Sequence, residues 1–349
     1  MTTAKVPAAG EPAHVGEGVT VTITDAVTGP SKEIIGKSPR QLAWTRLRRN
    51  RTAMVSGIIV LCYIVVAVAA PLVERIYGVS PSDFNSQLLT RDGLPLGYAG
   101  GITFSSDNPS GTWHILGVQP GTGRDLFILL VYGARTSLGI AFSVVLVATT
   151  VGTVLGLIAG YVGGRVDAGI SWLIDFMLAF PFLLFAIAVT PVIHSLIADE
   201  RGFVSSTQRI VTVVVVLALF TWMTSARLVR GQVFSLRERE YVDAARAAGA
   251  GVWHIMFRQV LPNLWAPILV VVSLAVPAVI VAEAALSFLN IGVVEPTPDW
   301  GRMVAHSVPW LQAVPTYTLI AGTPLVILVL SFNLFGDGLR DALDPKSMT

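Results

Sequence analysis

Long apolar runs separated by polar connections dominate the sequence. Six of these runs are long enough to cross a bilayer, which takes about 20 helical residues. They lie at 53–73, 136–160, 169–194, 210–228, 265–289 and 317–336. Their apolar positions are continuous and do not alternate with a period of two, which indicates helices and argues against the strands of a membrane barrel. The pattern therefore predicts an all-α integral membrane protein with six transmembrane helices.

A shorter apolar stretch, LFILLVY at 126–132, is too short to span a bilayer. It ends a region rich in Gly, Ser, Pro and Asp that follows the first run. We expect residues 76–135 to form an extracytoplasmic segment. Within it, the apolar stretch is either a helix on the outer interface or an early start of the second span.

Composition agrees with a membrane protein. Of the 349 residues, 53% are hydrophobic and 13% are charged, and the mean hydropathy is +0.68. A soluble domain carries about 25% charged residues, so the composition argues against a soluble enzyme or a disordered scaffold. No long basic face exists outside the loops, which disfavours a nucleic-acid binder. The single cysteine, Cys62, lies inside the first run and provides neither a disulfide framework nor a cysteine-based metal site.

Arginines cluster in two places, directly before the first run and between the fourth and fifth runs. The two groups are Arg46, Arg48, Arg49 and Arg51, and then Arg227, Arg230, Arg237, Arg239, Arg246 and Arg258. The 195–209 and 290–316 loops carry no basic excess. By the positive-inside rule the arginine-rich side is cytoplasmic, which predicts that both termini of a six-span chain are cytoplasmic.

Domain boundaries follow from these assignments. Residues 1–39 show no helical period and are predicted to be a disordered cytoplasmic tail. Residues 40–75 combine a basic juxtamembrane segment with the first span. Residues 136–345 hold the other five spans, and residues 346–349 form a C-terminal tail.

The loop at 237–263 has a helix–glycine–helix pattern. EYVDAARAA at 240–248 consists of helix-forming residues, Gly249 and Gly251 interrupt it, and a second helical piece follows. This pattern predicts a short helix parallel to the membrane that presents small alanines, with Asp243 as one of the charged residues around them. Such a helix either receives another protein or lies on lipid headgroups, and the spacing alone leaves both interpretations open.

The same loop resembles the EAA loop of bacterial ABC importer permeases. The matching positions are Asp243-Ala244-Ala245, then Gly249, then Leu261-Pro262, with Asp in place of the usual Glu. Other motifs extend the resemblance over residues 40 to 345, to the C-type membrane subunit of dipeptide, oligopeptide and nickel importers. They are GARTSL at 133–138, GLIAGYVGG at 156–164, DFMLAFP at 175–181, ARLVRGQVFSLREREYV at 226–242, AEAALSFL at 282–289, PTPDWG at 296–301 and FNLFGDGLRDALDP at 332–345. The chain departs from the family at 116–119, where Leu-Gly-Val-Gln replaces Leu-Gly-Thr-Asp.

The resemblance implies a type I ABC importer permease fold in the bacterial inner membrane. It also implies that the 237–263 loop is a coupling helix that docks on an ATPase subunit. The residues carried over are Asp243, Ala244, Ala245, Arg246, Gly249, Arg258, Leu261 and Pro262. The implied partners are a B-type permease, two ATPase subunits that bind ATP and Mg, and an extracytoplasmic substrate-binding protein. The implied substrates are di- and oligopeptides, with nickel chelates or oligosaccharides as alternatives.

No catalytic or metal site emerges from the sequence. A G-x-x-x-x-G-K-[ST] phosphate loop is absent, no nucleophile triad or paired carboxylates converge, and no histidine spacing suits a metal. We therefore expect a transport subunit that is not itself an enzyme. A self-contained secondary transporter is the weaker alternative, because the spans show no clear repeat.

Two acidic residues and three glycines stand out inside the runs. A carboxylate in lipid is costly, so Glu283 is expected to line a translocation pathway or to make a structural hydrogen bond. Asp175 is a second candidate for the pathway or a gate, near the cytoplasmic end of its run. Gly152, Gly156 and Gly160 share one helix face, which predicts close packing either within the subunit or against a partner permease.

Overall fold

The computed structural model describes residues 39–96 and 113–343, and every regular element in these ranges is helical. The predicted N-terminal tail, apart from Pro39, and the predicted C-terminal tail at 346–349 lie outside the described residues. So does part of the predicted extracytoplasmic segment, at 97–112.

The described ranges hold twelve α-helices. They are α1 (Pro39–Arg49), α2 (Arg51–Val68), α3 (Ala70–Tyr77), α4 (Leu126–Val162), α5 (Gly164–Leu178), α6 (Phe182–Ile197), α7 (Ser206–Leu236), α8 (Glu240–Ala247), α9 (Val252–His254), α10 (Trp265–Phe288), α11 (Trp300–Ser307) and α12 (Pro315–Leu343). A π-helical turn at Ile255–Val260 and a 3₁₀ turn at Leu261–Leu264 join α9 to α10. Pro262 has no N–H to donate to a preceding turn, which accounts for the irregular helix around it.

Five helical segments in these ranges are long and apolar enough to cross a membrane. They are α2, α4, α7, the continuous segment Val252–Phe288, and α12. Helices α5 and α6 meet the same criteria only as a pair, and they are bent by 87° relative to each other. The all-α prediction is confirmed, with five spans or six if the bent pair is one.

The predicted third span at 169–194 is therefore not one continuous helix. Helix α5 ends at Leu178, and Pro181 has extended backbone angles (φ −63°, ψ 113°) as the residue before α6. Proline cannot donate a backbone hydrogen bond and disfavours a helical conformation in the residue before it, here Phe180. The apolar composition of this run concealed the break, because apolar residues occupy both sides of the bend.

Helix α4 settles the alternatives for the 126–132 stretch. It begins at Leu126 and continues for 37 residues, so the stretch is the early start of the second span and not a separate interfacial helix. Asp125 caps this helix by accepting a hydrogen bond from the Ile128 N–H at 2.8 Å. At about 1.5 Å per residue, α4 is about 55 Å long.

The bundle has two ends, which we name after the short helices that lie there. Helix α10 runs from the end that holds α8 to the end that holds α11, and α4 runs the opposite way. At the α8 end, α1 packs on the end of α12 through Leu47 and Ala342. Both arginine groups identified in the sequence lie at or near this α8 end.

The main packing interface of the core joins α4 to α7. A Cβ atom added at Gly152 or Gly156 would lie 2.5 Å from a backbone carbonyl oxygen of α7, and one at Gly160 would lie 2.8 Å from another. These distances are shorter than van der Waals contact, so the two backbones touch along this face. The glycine face is thus occupied inside the subunit, by α7.

Candidate coupling surface and buried carboxyl pair

Helix α8 lies on the surface of its end of the bundle. Val242 is its buried residue and packs into a small apolar cluster with residues of α4, α7 and the π turn. Asp243 and Ala244 are exposed, and Ala245 is half-buried. The small side chains therefore form an open surface above a fixed apolar anchor.

Gly249 ends α8 in a left-handed turn. Its φ is +81°, and its N–H bonds to the Arg246 carbonyl at 2.9 Å while the Ala250 N–H bonds to the Ala245 carbonyl at 3.0 Å. This is the Schellman arrangement, in which glycine is favoured because other residues are strained at positive φ. No atom lies within 4 Å of the position a Cβ would take at Gly249, so the backbone angle alone demands glycine.

Arg246 attaches α8 to the end of α4. Its guanidinium lies 5.6 Å from the centre of the Tyr161 ring, and its Nη1 donates to Asp243 Oδ1 at 3.0 Å. Hydrogen bonding to the Tyr161 hydroxyl is the main reason why the pKa of Arg246 is raised. Arg246, one of the residues carried over to the coupling surface, thus also links this surface to a membrane-spanning helix.

The second half of the loop presents aromatic side chains. Trp253 is 64% exposed and stacks on Phe257, with ring centroids 5.8 Å apart and planes 13° apart. Arg258 and Pro262 are also exposed, whereas Leu261 packs against the buried cluster under α8. Leu261 therefore supports the surface from below.

Two ion pairs fix α5 to α7 near the same end. Arg230 makes two hydrogen bonds to Asp167, one of them from Nη2 to Oδ2 at 2.7 Å. Arg227 pairs with Asp175, the residue predicted for the pathway or a gate, and both of these side chains are mostly exposed. An exposed pair of this kind contributes little to stability, about 0–1 kcal/mol.

Glu283, by contrast, is completely buried. Its Oε1 accepts a hydrogen bond from Ser287 Oγ at 3.0 Å, and its Oε2 is buried without a hydrogen-bond partner. The carboxyl group of Asp299, itself 1% exposed, lies beside it and interacts with it directly. Ser137 of α4 donates to Asp299 Oδ2 at 3.4 Å. In this conformation Glu283 does not face an open path, and the pathway role given to it and to Asp175 stays a prediction.

Helix α11 is pressed onto this buried pair. A Cβ at Gly301 would lie 2.3 Å from the Ala284 carbonyl oxygen of α10, and one at Gly133 of α4 would lie 2.6 Å from the Trp300 ring. The Trp300 Nε1 donates to the Leu130 carbonyl at 3.0 Å. The motifs at 133–138, 282–289 and 296–301 are far apart in sequence, and the structure brings them together here.

Sequence analysis missed a polar network at the α11 end. Asp125 Oδ2 accepts a hydrogen bond from the Tyr77 hydroxyl at 2.9 Å and lies 2.7 Å from His114 Nδ1. Gln119, in the segment that departs from the family pattern, contacts His306 with its Nε2 3.0 Å from Nδ1. Burial lowers the pKa of Arg124 and of His306 in this network. The Asp before the start of α4 is a helix-cap signal that the sequence offered, but its partners come from distant segments.

An apolar cavity of about 430 Å³ lies between α6, α7 and α10. Phe182 and Phe220 form part of its wall, with ring centroids 5.4 Å apart. Thr221, Thr224 and Ser225 add hydroxyl groups to an otherwise apolar lining.

Comparisons with known proteins give the family. The profile described as "Binding-protein-dependent transport system inner membrane component" matches residues 152–348, and the one described as "N-terminal TM domain of oligopeptide transport permease C" matches residues 38–90. This chain belongs to the family of binding-protein-dependent ABC importer permeases. The prediction drawn from the EAA-like loop and the surrounding motifs is confirmed.

Relatives in this permease family align over most of the chain. The dipeptide transport system permease protein DppC of Alkalihalophilus pseudofirmus is 35% identical over 91% of this chain and 93% of its own length. The glutathione transport system permease protein GsiD of Pectobacterium atrosepticum is 34% identical over 89% and 92%. The oligopeptide transport system permease protein OppC of Escherichia coli K12 is 32% identical over 90% and 93%.

One chain of a solved structure of the inward-facing MetNI methionine ABC transporter aligns with this chain with a TM-score of 0.49 and 18% identity, over 62% of this chain and 96% of that one.

Proposed function

We propose that this permease subunit pairs with a related B-type permease to form the translocation path of an ATP-driven peptide importer. Two ATPase subunits bind ATP and Mg, one of them docks on the α8 surface, and an extracytoplasmic binding protein delivers the substrate. In this arrangement the chain couples ATP hydrolysis to movement of its helices and has no ATP site of its own.

The exposed α8 surface is the observation that carries this proposal. Small side chains, as at Ala244, allow a partner backbone to approach, and the exposed Trp253 supplies the kind of aromatic anchor that dominates protein interfaces. The buried Val242 and the Arg246–Tyr161 contact tie this surface to α4 and α7. A push on α8 is therefore transmitted directly to two long helices of the bundle.

A lipid headgroup surface is the competing occupant of α8. A helix that lies on lipid presents a broad apolar face with basic residues beside it. The exposed face of α8 instead combines alanines with Glu240 and Asp243, whose charges offset those of Arg239 and Arg246. This balance of charge and the small side chains favour a protein partner over a lipid surface.

The named relatives support a peptide substrate, because dipeptides, oligopeptides and glutathione are all short peptides. Nickel chelates or oligosaccharides are the alternatives. The lining of the cavity between α6, α7 and α10 is mostly apolar with a few hydroxyl groups. Such a lining suits one side of a translocation path for peptides with varied side chains.

Orientation completes the proposal. Both arginine groups lie at or near the α8 end, and by the positive-inside rule this supports a cytoplasmic α8 end. The start of α1 and the end of α12 lie at the same end, which supports the proposal that both termini are cytoplasmic.

Co-purification of the complex tests the coupling role. The chain is expressed together with its partner permease, ATPase subunits and binding protein, and ATP-dependent uptake is measured in proteoliposomes. We expect Asp243→Lys to reduce both ATPase recovery and uptake at least about tenfold, as loss of a central interface contact does. Glu200→Lys is the matched control, because Glu200 is exposed at the opposite end of the bundle.

A second pair of variants separates charge from backbone strain. Asn and Asp both tolerate positive φ and have nearly the same size, but only Asp adds a negative charge. We expect Gly249→Asp to uncouple ATP hydrolysis from uptake and Gly249→Asn to retain most of the activity. Wild-type uptake in both Asp243→Lys and Gly249→Asp, or uptake by this chain without any ATPase subunit, would refute the coupling role.

A further inference from the structure

The surroundings of Glu283 lack the positive charge and the hydrogen-bond donors that stabilise a buried carboxylate. An ionised carboxyl group buried away from water is stable only with a cationic partner or several hydrogen-bond donors. Ser287 Oγ donates to Glu283 Oε1 at 3.0 Å, and the buried Oε2 of Glu283 has no hydrogen-bond donor. Among the ion pairs of the described residues, none includes Glu283 or Asp299.

A neighbouring carboxyl group, that of Asp299, further destabilises a negative charge on Glu283. Asp299 is buried directly beside Glu283, and two adjacent negative charges repel each other in a region without water. Carboxylates are acceptors only, so two of them hydrogen-bond to each other only if one carries a proton. One proton between the two groups removes the repulsion and supplies the missing donor.

The environment of each carboxyl group decides which one holds the proton. Asp299 accepts hydrogen bonds from the Arg302 backbone N–H at 2.9 Å and from Ser137 Oγ at 3.4 Å, and it caps the N-terminus of α11. A backbone N–H donor and a helix N-terminus both stabilise negative charge placed beside them. Glu283 has neither of these two features beside it.

We infer that Glu283 is a proton-binding site, held as a neutral carboxylic acid that donates its hydrogen to the Asp299 carboxylate and thereby fastens α11 to α10. The proton joins the motif at 282–289 to the one at 296–301, and Ser137 adds α4 to the same junction. Separating α11 from α10 admits water to Glu283 and releases the proton. This inference rests on the packing within the chain and does not depend on the proposed coupling role.

Other charged groups surround the junction without reaching Glu283. Arg124, Glu295, Arg302 and His306 line the small cavity of about 20 Å³ that Asp299 borders. Arg302 Nη1 donates to Asn290 Oδ1 at 2.7 Å, and Arg124 pairs with Glu295 at 3.5 Å. From α4 and α10, only the neutral Ser137 and Ser287 bond to the pair.

The first test compares the wild-type complex with Glu283→Gln. Glutamine is neutral, has the same shape and donates a hydrogen bond, so the complex is expected to assemble in the same yield as the wild type. Glu283→Ala is the contrasting variant and is expected to assemble poorly, because it leaves a cavity and removes the donor. Failure of Glu283→Gln to assemble would overturn the inference, since a required negative charge would be the reason.

The second test measures how the melting temperature depends on pH. The folded state keeps a proton that the unfolded chain releases well below neutral pH, so wild-type stability falls as the pH rises. Between about pH 6 and about pH 9, the melting temperature of Glu283→Gln should therefore rise relative to wild type by several degrees. A constant difference over this range would contradict the inference.

The third test looks for the proton and for a competing cation. Infrared spectra of the wild-type complex at neutral pH should contain a protonated carboxyl C=O band that shifts in D₂O and is absent from Glu283→Gln. A missing band would overturn the inference. So would a melting temperature that rises with sodium chloride but not choline chloride in wild type only, because that result would place a sodium ion between the two carboxylates.

Discussion

At Gly249 and at His306, the local surroundings determine how a substitution changes the stability of the protein. At Gly249 the backbone angle and not the available space limits the choice, because φ is +81° and no atom is within 4 Å of a Cβ position. At His306 the limit is electrostatic. Its ring is half-buried between Gln119, Glu295 and Arg302.

The turn after α8 gives the first prediction. Gly249→Ala should destabilise this turn by about 1 kcal/mol, because alanine is strained in the left-handed region, and Gly249→Asn should cost less. The measurement is ATPase recovery at increasing salt, where the alanine variant should dissociate first. Equal behaviour of the two variants would mean that the left-handed turn does not matter for docking.

His306 gives a prediction about acid. Burial, partly offset by Glu295, lowers its pKa below the ordinary value, so the folded state binds a proton less readily than the unfolded chain. The stability that this neutral histidine contributes is present above about pH 6.5 and is lost as the pH falls through its lowered pKa. In His306→Gln the melting temperature should fall less than in the wild type when the pH is lowered. The Glu283 proton has the opposite effect, because its contribution to stability is lost when the pH is raised. If the melting temperature of His306→Gln falls at low pH as steeply as that of the wild type, other groups control the acid sensitivity.

At the scale of elements, the sequence predicted helices well and their interruptions poorly. The apolar runs and the Gly249 break yielded the span positions and α8, because periodicity and glycine act locally. The break between α5 and α6 was missed, since a single Pro181 in an apolar run does not reveal whether a helix kinks or ends. The burial of Glu283 was also beyond the sequence, because the groups around it come from two other segments, Ser137 from α4 and Asp299 and Gly301 from the start of α11.

The α4–α7 interface gives a prediction at this scale. Gly156→Ala should destabilise the subunit by about 1–3 kcal/mol, since its methyl group would lie 2.5 Å from the Ala226 carbonyl oxygen. Gly139→Ala is the control on the same helix, because no atom lies within 4 Å of its Cβ position. That control should be neutral or slightly stabilising. Equal melting temperatures for the two variants would contradict the packing.

For the whole molecule, the proposed cytoplasmic location of the α8 end can be tested by cysteine labelling, because the chain contains a single cysteine. Cys62→Ser gives a chain without cysteines, into which Glu200→Cys and Ala244→Cys are placed separately. Both positions are exposed, one at each end of the bundle. A membrane-impermeant thiol reagent should label intact cells at position 200 and should label position 244 only after lysis. The reverse pattern would place α8 outside and end the coupling proposal.

Helix α4 also sets a mechanical scale for the molecule. It contains no proline and extends without a break from the Trp300 contact at one end to the Tyr161–Arg246 contact at the other. A rigid lever about 55 Å long that tilts by about 5° displaces its far tip by about 5 Å, close to one helical turn. Because α7 packs on the α4 backbone at three glycines, we expect the two helices to move together. A displacement at α8 would then also move the end of α4 on which Trp300 of α11 packs.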